Sequence, residues 1–175
     1  MVDLDLAQYI RTVMDFPQAG IAFRDITTLL KEPTAFRIAI DRLAEPFVAD
    51  AVDVVVGMES RGFIFAAPIA YTLGAGFAPV RKLGRLPGEA IRVSYDLEYG
   101  SNTLEIHRDA IQPGQRVLIV DDLLATGGTV RATIQLVEAL GGTVVGLGFL
   151  IELLYLHGRA NLPSVPKAVS LITYG

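Results

Sequence analysis

From residue 53 onward, short apolar runs alternate with stretches of helical periodicity, and that alternation leaves few folds open to the chain. The runs Asp53–Gly57, Gly76–Val80, Val117–Val120, Val144–Ile151 and Ala168–Thr173 are nearly continuously apolar, as strands covered on both faces are. A helix over 62–73 is predicted after the first run and another over 129–140 after the third. In the second helix Val130, Ile134, Val137 and Leu140 share a face, and Gly141-Gly142 stops it. Strands alternating with helices imply an α/β fold with a parallel sheet and right-handed crossovers. Ligands of such sheets bind beyond the carboxyl ends of the strands.

Ahead of residue 53, Phe36, Ile40, Leu43 and Phe47 recur at helical spacing. Pro33 and Thr34 are placed to start that helix and Pro46 to end or bend it. Asp15-Phe16-Pro17-Gln18-Ala19-Gly20 reads as a turn. No repeat, low-complexity tract or linker divides the 175 residues, so one domain over 1–175 is expected.

Composition narrows the function classes. With 51% hydrophobic and 19% charged residues the chain has enough apolar side chain to bury a core. Its net charge of −4 is spread out, with no run of Lys and Arg to track a phosphate backbone, so no nucleic-acid partner is expected. Cysteine is absent, which removes disulfides, thiolate nucleophiles and Cys-ligated metals, and fits a reducing, cytoplasmic compartment. Met1-Val2-Asp3-Leu4-Asp5 is acidic where an export signal is basic. Residues 62–80 carry no charge over a span close to the ~20 residues of a membrane helix. Gly62, Pro68, Gly74 and Gly76 divide that span into a buried helix and a strand, so no membrane partner is expected.

The most informative chemistry lies in Val117-Leu118-Ile119-Val120-Asp121-Asp122-Leu123-Leu124-Ala125-Thr126-Gly127-Gly128-Thr129. An apolar strand runs into two acids and then a small-residue loop that opens a helix. Backbone N–H groups at a helix N-terminus can surround a phosphate, glycine lets it come close, and Thr126 and Thr129 add hydroxyl donors. Two carboxylates beside a phosphate repel it unless they hold sugar hydroxyls or a bridging cation, which points to a sugar phosphate with Mg²⁺. The plainer alternative is a strand–turn–helix junction whose threonines cap the helix and whose acids complement its dipole. The loop is neither a dinucleotide fingerprint nor a Walker loop.

Two further segments suit anions. Gly57-Met58-Glu59-Ser60-Arg61-Gly62 follows the first strand and presents Arg61, whose planar fork can donate two bonds to a phosphate; a solvated turn is the alternative. Arg81, Lys82 and Arg85 lie within five positions, either as a pyrophosphate site or as solvated surface. Residues 88–108 are polar and irregular and read as an exposed hairpin with Gly100-Ser101-Asn102 near its turn, or as a lid that excludes water. His107 and His157 are isolated and suggest neither a metal site nor a triad.

The Val117–Thr129 segment resembles the phosphoribosyl pyrophosphate motif of type I phosphoribosyltransferases. Three other blocks resemble the adenine-using members of that family. They are Arg81-Lys82 followed by Gly84-x-Leu86-Pro87-Gly88, then Ser94-Tyr95-x-Leu97-Glu98-Tyr99-Gly100, and Phe16-Pro17-x-x-Gly20-Ile21-x-Phe23-Arg24-Asp25-Ile26-Thr27. Glu152-Leu153-x-x-Leu156-x-Gly158-Arg159-x-x-Leu162 follows the family's closing pattern; Glu59 stands where many relatives have Asp, and His157 where some have Lys.

The resemblance implies a five-stranded parallel α/β core, a small N-terminal hood from about residues 1–35, and a flexible catalytic loop. It implies Asp121 and Asp122 on the ribose hydroxyls, with Ala125, Thr126, Gly127, Gly128 and Thr129 around the 5′-phosphate. Ser60, Arg61, Arg81, Lys82 and Arg85 would receive pyrophosphate, in a loop that often contains a cis peptide near Glu59-Ser60. Glu98 would be the general acid/base and Tyr99 would help close the loop, although residue type alone does not separate Glu98 from Glu105. Backbone groups at Ala22 and Arg24 would bond adenine, with Phe23 beside it or in the hood's own core; Leu153 lies either against the purine or in the core. The implied reaction joins adenine to 5-phosphoribosyl 1-pyrophosphate, giving AMP and pyrophosphate for purine salvage. The resemblance also implies Mg²⁺ carried mainly by that substrate and water, and a homodimer. Rival readings are a 6-oxopurine enzyme and a regulatory protein that binds without catalysis.

Overall fold

The computed structural model describes residues 4–96 and 101–175. The first described element is a 3-10 turn, Leu6–Tyr9, capped by the Asp5 carboxylate, which accepts from the Ala7 N–H at 3.0 Å. Strands β1 (Arg11–Met14) and β2 (Ala22–Asp25) then pair antiparallel as a separate two-stranded sheet, from Arg11↔Asp25 to Met14↔Ala22. The predicted turn joins them: Phe16–Pro17 is cis, and the Asp15 carboxylate accepts from the Gly20 N–H at 2.8 Å. At the open end Arg11 pairs with Asp25, and Asp25 also caps the short helix α1 (Thr27–Leu30). The Thr27 hydroxyl and N–H donate to that carboxylate, and with Arg11 they lower its pKa to about 2.

Helix α2 (Pro33–Ala44) begins with proline at its first turn, where no N–H partner is lost. It buries Ala35, Ala39, Ile40 and Leu43, and Pro46 follows in a 3-10 turn, Glu45–Asp50, that carries buried Phe47. Next come β3 (Val54–Met58), α3 (Gly62–Leu73), β4 (Gly76–Lys82), β5 (Ala90–Asp96), β6 (Ser101–His107), β7 (Arg116–Leu124), α4 (Gly128–Ala139), β8 (Thr143–Leu153) and β9 (Ala168–Tyr174).

The seven strands of the main sheet are ordered β5-β6-β4-β3-β7-β8-β9. The run from β4 to β9 is a parallel five-stranded core formed by the strands that the apolar runs predict, so the fold is a parallel-sheet α/β core. Side chains alternate between its two faces. Val55, Leu118 and Val120 join α2 and α3 in one core cluster, whereas Val54, Val56, Val117 and Ile119 join α4 in the other. Each fully buried valine or leucine contributes roughly 1.5–3 kcal/mol of transfer free energy. The chain runs from β3 to β4 on one side, and after β6 crosses to β7 and then β8 on the other, so a topological switch point lies between β3 and β7. No helix of the described residues is long and apolar enough to cross a membrane.

Two expectations are corrected. The third core strand does not end at Val120: β7 carries Asp121 and Asp122 inside the ladder with β8, where Asp121 pairs with Phe149. Ser101 and Asn102 do stand near the hairpin's turn, pairing with Asp96 and Tyr95 in β5; Gly100 lies outside the described residues. The 88–108 segment is not simply an exposed hairpin. Its β6 continues the main sheet, pairing Glu105 and Leu104 with Arg81 and Lys82, and Leu104 and Ile106 are buried. That pairing also extends β4 two residues past its predicted end.

Candidate active site

At the switch point, β7 delivers two adjacent carboxylates whose surroundings differ because successive strand residues face opposite sides. Asp122 is buried, and its Oδ2 pairs with the Arg61 guanidinium at the start of α3. Asp121 turns toward Gly62, where a Cβ would meet its Oδ1 at 2.7 Å, so no larger residue fits at 62 without a shift. Burial, followed by the negative charge of Asp122, raises the pKa of Asp121 well above the usual carboxylate range. The Asp122 N–H donates to Asp121 Oδ1 at 2.9 Å and works against that shift.

Beyond the pair the chain turns through 125–127 into α4. Gly127 has φ +85°, and a Cβ there would meet the Gly158 carbonyl at 2.7 Å, so both conformation and space call for glycine. The loop is held from behind by the Leu154–Asn161 region, in which the Asn161 amide donates to the Thr126 carbonyl at 3.1 Å. Arg159 fixes this backing through Glu152, which accepts from its Nε at 3.0 Å, and the guanidinium keeps the Glu152 pKa down. From the front, the Tyr95 hydroxyl lies 3.0 Å from Thr129 Oγ1. The result is a loop of small residues whose N–H groups precede a 12-residue helix, which favours an anion by both dipole and donor geometry.

Opposite it, the Glu59–Ser60 peptide is cis, as the resemblance implies. Glu59 accepts from Arg81 through Nη2 at 3.1 Å and Nε at 3.3 Å, and from the Lys82 N–H at 3.1 Å. Arg81 also donates to the Arg85 carbonyl at 2.8 Å. Arg81 therefore braces the loop from beside the cavity. Lys82, with Glu59, Ser60, Arg61, Asp121, Asp122, Leu123, Ala125 and Thr129, lines a polar cavity of about 320 Å³. Arg85 is not on that lining; its N–H and that of Leu86 donate to Glu105 at 3.0 and 2.9 Å.

A second cavity of about 420 Å³ adjoins the first and shares Arg61, Asp122 and Leu123 with it. Its other walls are largely apolar: Ile21, Ala22 and Phe23 from the N-terminal sheet region, and Ile151, Leu153, Tyr155 and Leu156 from the end of β8 and beyond. Arg24 lines it too and stacks on Tyr174 at 3.7 Å. The Arg61 guanidinium sits 5.5 Å from the centre of the Phe23 ring, at the junction of the two spaces.

Comparisons with known proteins agree with this geometry. The phosphoribosyl transferase domain model matches residues 27–166. The adenine phosphoribosyltransferase of Gloeobacter violaceus is 60% identical over 171 residues, spanning 98% of this chain and 100% of that protein. The chain belongs to the phosphoribosyltransferase family. That of Thermobifida fusca is 59% identical, over 90% of each chain. Among solved structures, the adenine phosphoribosyltransferase of Rhodothermus marinus superposes with a TM-score of 0.92 at 55% identity, covering 97% of this chain and 96% of its own. The Saccharomyces cerevisiae enzyme, complexed with an imino-altritol bisphosphate and adenine, gives 0.89 at 40% identity over 95% and 96%.

In this phosphoribosyltransferase, most of the residues expected at the phosphate and pyrophosphate gather around the polar cavity. Ser60, Arg61, Lys82, Asp121, Asp122, Ala125 and Thr129 converge on one cavity, with Thr126, Gly127 and Gly128 completing its loop. Ala22, Phe23 and Arg24 meet the second cavity, and so does Leu153, whose position the residues alone left open. Glu98 and Tyr99 lie outside the described residues. Glu105 is buried beneath the N–H groups of Arg85 and Leu86 and the Arg92 guanidinium, which lower its pKa; it is an anchor for the 83–88 turn. Sequence reasoning missed Ile151 and Tyr155, and had Leu156 only as a member of the closing pattern. Only the two-residue spacing of Ile151 and Leu153 at a strand's carboxyl end signalled part of that wall.

Proposed function

We propose that this phosphoribosyltransferase joins adenine to 5-phosphoribosyl 1-pyrophosphate, forming AMP and releasing pyrophosphate in purine salvage. The observation that carries the reading is the pair of adjoining cavities, one polar and one largely apolar, that share Arg61, Asp122 and Leu123. The polar space suits an activated sugar phosphate, and the apolar one suits a flat heterocycle. Their shared wall is where the ribose C1 and the base nitrogen would meet. Similarity to adenine phosphoribosyltransferases over nearly the whole chain supports adenine as the base.

In this reading Asp121 and Asp122 hold the ribose hydroxyls, and residues 125–129 hold the 5′-phosphate with backbone N–H and hydroxyl donors. Ser60, Arg61 and Lys82 receive the departing pyrophosphate, with Arg81 bracing their loop and Arg85 beside it. N9 of adenine displaces pyrophosphate at C1 with inversion and no covalent intermediate. Backbone groups at Ala22 and Arg24 bond the base edge, and Phe23 lies against its face. We assign purine proton transfer to Glu98 and loop closure to Tyr99 on the strength of the family motif. The N-terminal segment to about residue 35 acts as a hood on a single domain.

The donor set fits a Mg²⁺ ion carried by the substrate. Among the described residues no group of three or more His, Asp and Glu side chains converges, while Asp121 and Asp122 offer hard oxygens that would hold such an ion through water. When bound, the ion neutralises diphosphate charge. We further propose a homodimer, supported by Ile64, Tyr71 and Phe77, which α3 and β4 leave exposed without a charged neighbour on α3. A cytoplasmic setting suits a chain that contains no cysteine.

The test is product formation from 5-phosphoribosyl 1-pyrophosphate and Mg²⁺ with adenine, hypoxanthine and guanine in parallel. AMP from adenine alone is expected. IMP or GMP as the main product would overturn the base assignment, and binding without product would favour a regulatory role.

A further inference from the structure

We propose that Tyr95 is a positioning residue that aims the Thr129 hydroxyl at the substrate's 5′-phosphate. This rests on the transfer reading above and deepens it. Tyr95 lies on β5, three residues before Glu98, and is only 8% exposed. Its ring rests on the first residue of α4: a Cβ at Gly128 would meet the Tyr95 ring at 3.2 Å. Its hydroxyl is 3.0 Å from Thr129 Oγ1, and Thr129 in turn lines the polar cavity.

The two hydroxyls have two ways to share that bond, and the phosphate selects one. A phosphate oxygen in this loop can only accept, so Thr129 contributes to it only by donating its single proton. That proton is free for the cavity when Tyr95 donates and Thr129 Oγ1 accepts. The sequence of donors is then Tyr95 to Thr129 to phosphate, a chain in which each bond polarises the next. In the reverse arrangement Thr129 spends its proton on Tyr95 and the phosphate loses a donor. The same bond ties the phosphate loop to the hairpin, whose β6 pairs with β4 at Lys82 on the opposite wall of the cavity.

Tyr95→Phe keeps the ring on Gly128 and removes only the oxygen, and Thr129→Val removes the hydroxyl with nearly the same shape. The experiment measures KM for 5-phosphoribosyl 1-pyrophosphate and for adenine, the Kd of ribose 5-phosphate by calorimetry, and the melting temperature, for wild type, both single variants and the double variant. Tyr95→Phe is expected to raise the KM for the sugar substrate and the Kd of ribose 5-phosphate about three- to tenfold, the loss of roughly one neutral hydrogen bond, with the adenine KM within about twofold of wild type. The double variant should bind no worse than Thr129→Val alone, because the two side chains act through one bond.

Additive losses, or a Tyr95→Phe enzyme with unchanged constants for the sugar substrate, would overturn the proposal. If Tyr95→Phe does not fold, Thr129→Val decides: an unchanged sugar-substrate KM in that variant also overturns it. Wild-type protein that neither binds ribose 5-phosphate nor forms AMP would overturn the transfer reading itself, an outcome distinct from wild-type activity with an indifferent Tyr95.

Discussion

The polar cavity and the largely apolar cavity of the site are built in different ways. The polar cavity, which we assign to the sugar phosphate, comes mainly from two loops at neighbouring strand ends, and the loop before α4 is held by backbone: Gly127 at φ +85° and the Asn161 bond to the Thr126 carbonyl. The apolar cavity, which we assign to the base, gathers residues 20–24, 61, 122–123, 151, 153 and 155–156, which meet only in the folded protein. A backbone-built subsite tolerates few substitutions, whereas an apolar wall of several residues shares its burden and degrades gradually.

The largest effect is expected at the wall the two sides share. Asp122→Asn removes the charge that pairs with Arg61 and replaces one of the two oxygens assigned to the ribose with an amide nitrogen; kcat/KM should fall about a hundredfold or more, as misplacement at a reacting centre does. Steady-state assays that show less than a tenfold loss would deny Asp122 a place at the ribose. Next, Gly127→Ala must place a Cβ 2.7 Å from the Gly158 carbonyl in a backbone region that alanine avoids. The KM for 5-phosphoribosyl 1-pyrophosphate should rise about tenfold, with the adenine KM little changed. If both constants rose equally, the two sides would not be separate units.

A smaller change is expected on the base side. Leu153→Ala removes one member of a many-sided wall, so the adenine KM should rise about three- to tenfold while the sugar-substrate KM holds. An effect as large as that of Gly127→Ala would abolish the contrast. The smallest effect lies outside both cavities, at Glu105. Donation from the Leu86 N–H, from Arg92 and from the Arg85 N–H lowers its pKa in the folded protein below the ordinary 4.5. The unfolded chain therefore binds more protons in that window. The stabilisation is complete above the unfolded pKa and is lost as pH falls through the folded one. Thermal melts between neutral and acid pH should show a shallower loss for Glu105→Gln than for wild type, and parallel curves would remove the anchor role.

The proposed homodimer provides a separate check. Ile64→Glu with Tyr71→Glu adds charge to the exposed face of α3, and light scattering should report a monomer where wild type is a dimer. A dimer that persists would place the interface elsewhere.

The residues that sequence reading located best are those whose role is local. A run such as Val117–Val120 announces a buried strand by composition, and Ala125–Gly128 announces a phosphate loop because only small residues let a ligand reach the backbone. Sequence alone thus determined the parallel α/β core, the Asp pair and its loop. Tertiary structure decided what depends on pairing between distant segments. The antiparallel pairing of β6 with β4 placed Glu105 under the 83–88 turn and made it an anchor, although its residue type had left it indistinguishable from Glu98. The cis loop set Glu59 against Arg81, which turned one member of a basic cluster into a brace and left Lys82 to face the cavity. Ile151, Leu153, Tyr155 and Leu156 became a base-side wall because β8 ends beside the N-terminal sheet. No local pattern encodes such neighbours: hydrogen-bond register and burial are satisfied between segments, and only the complete fold brings those segments together.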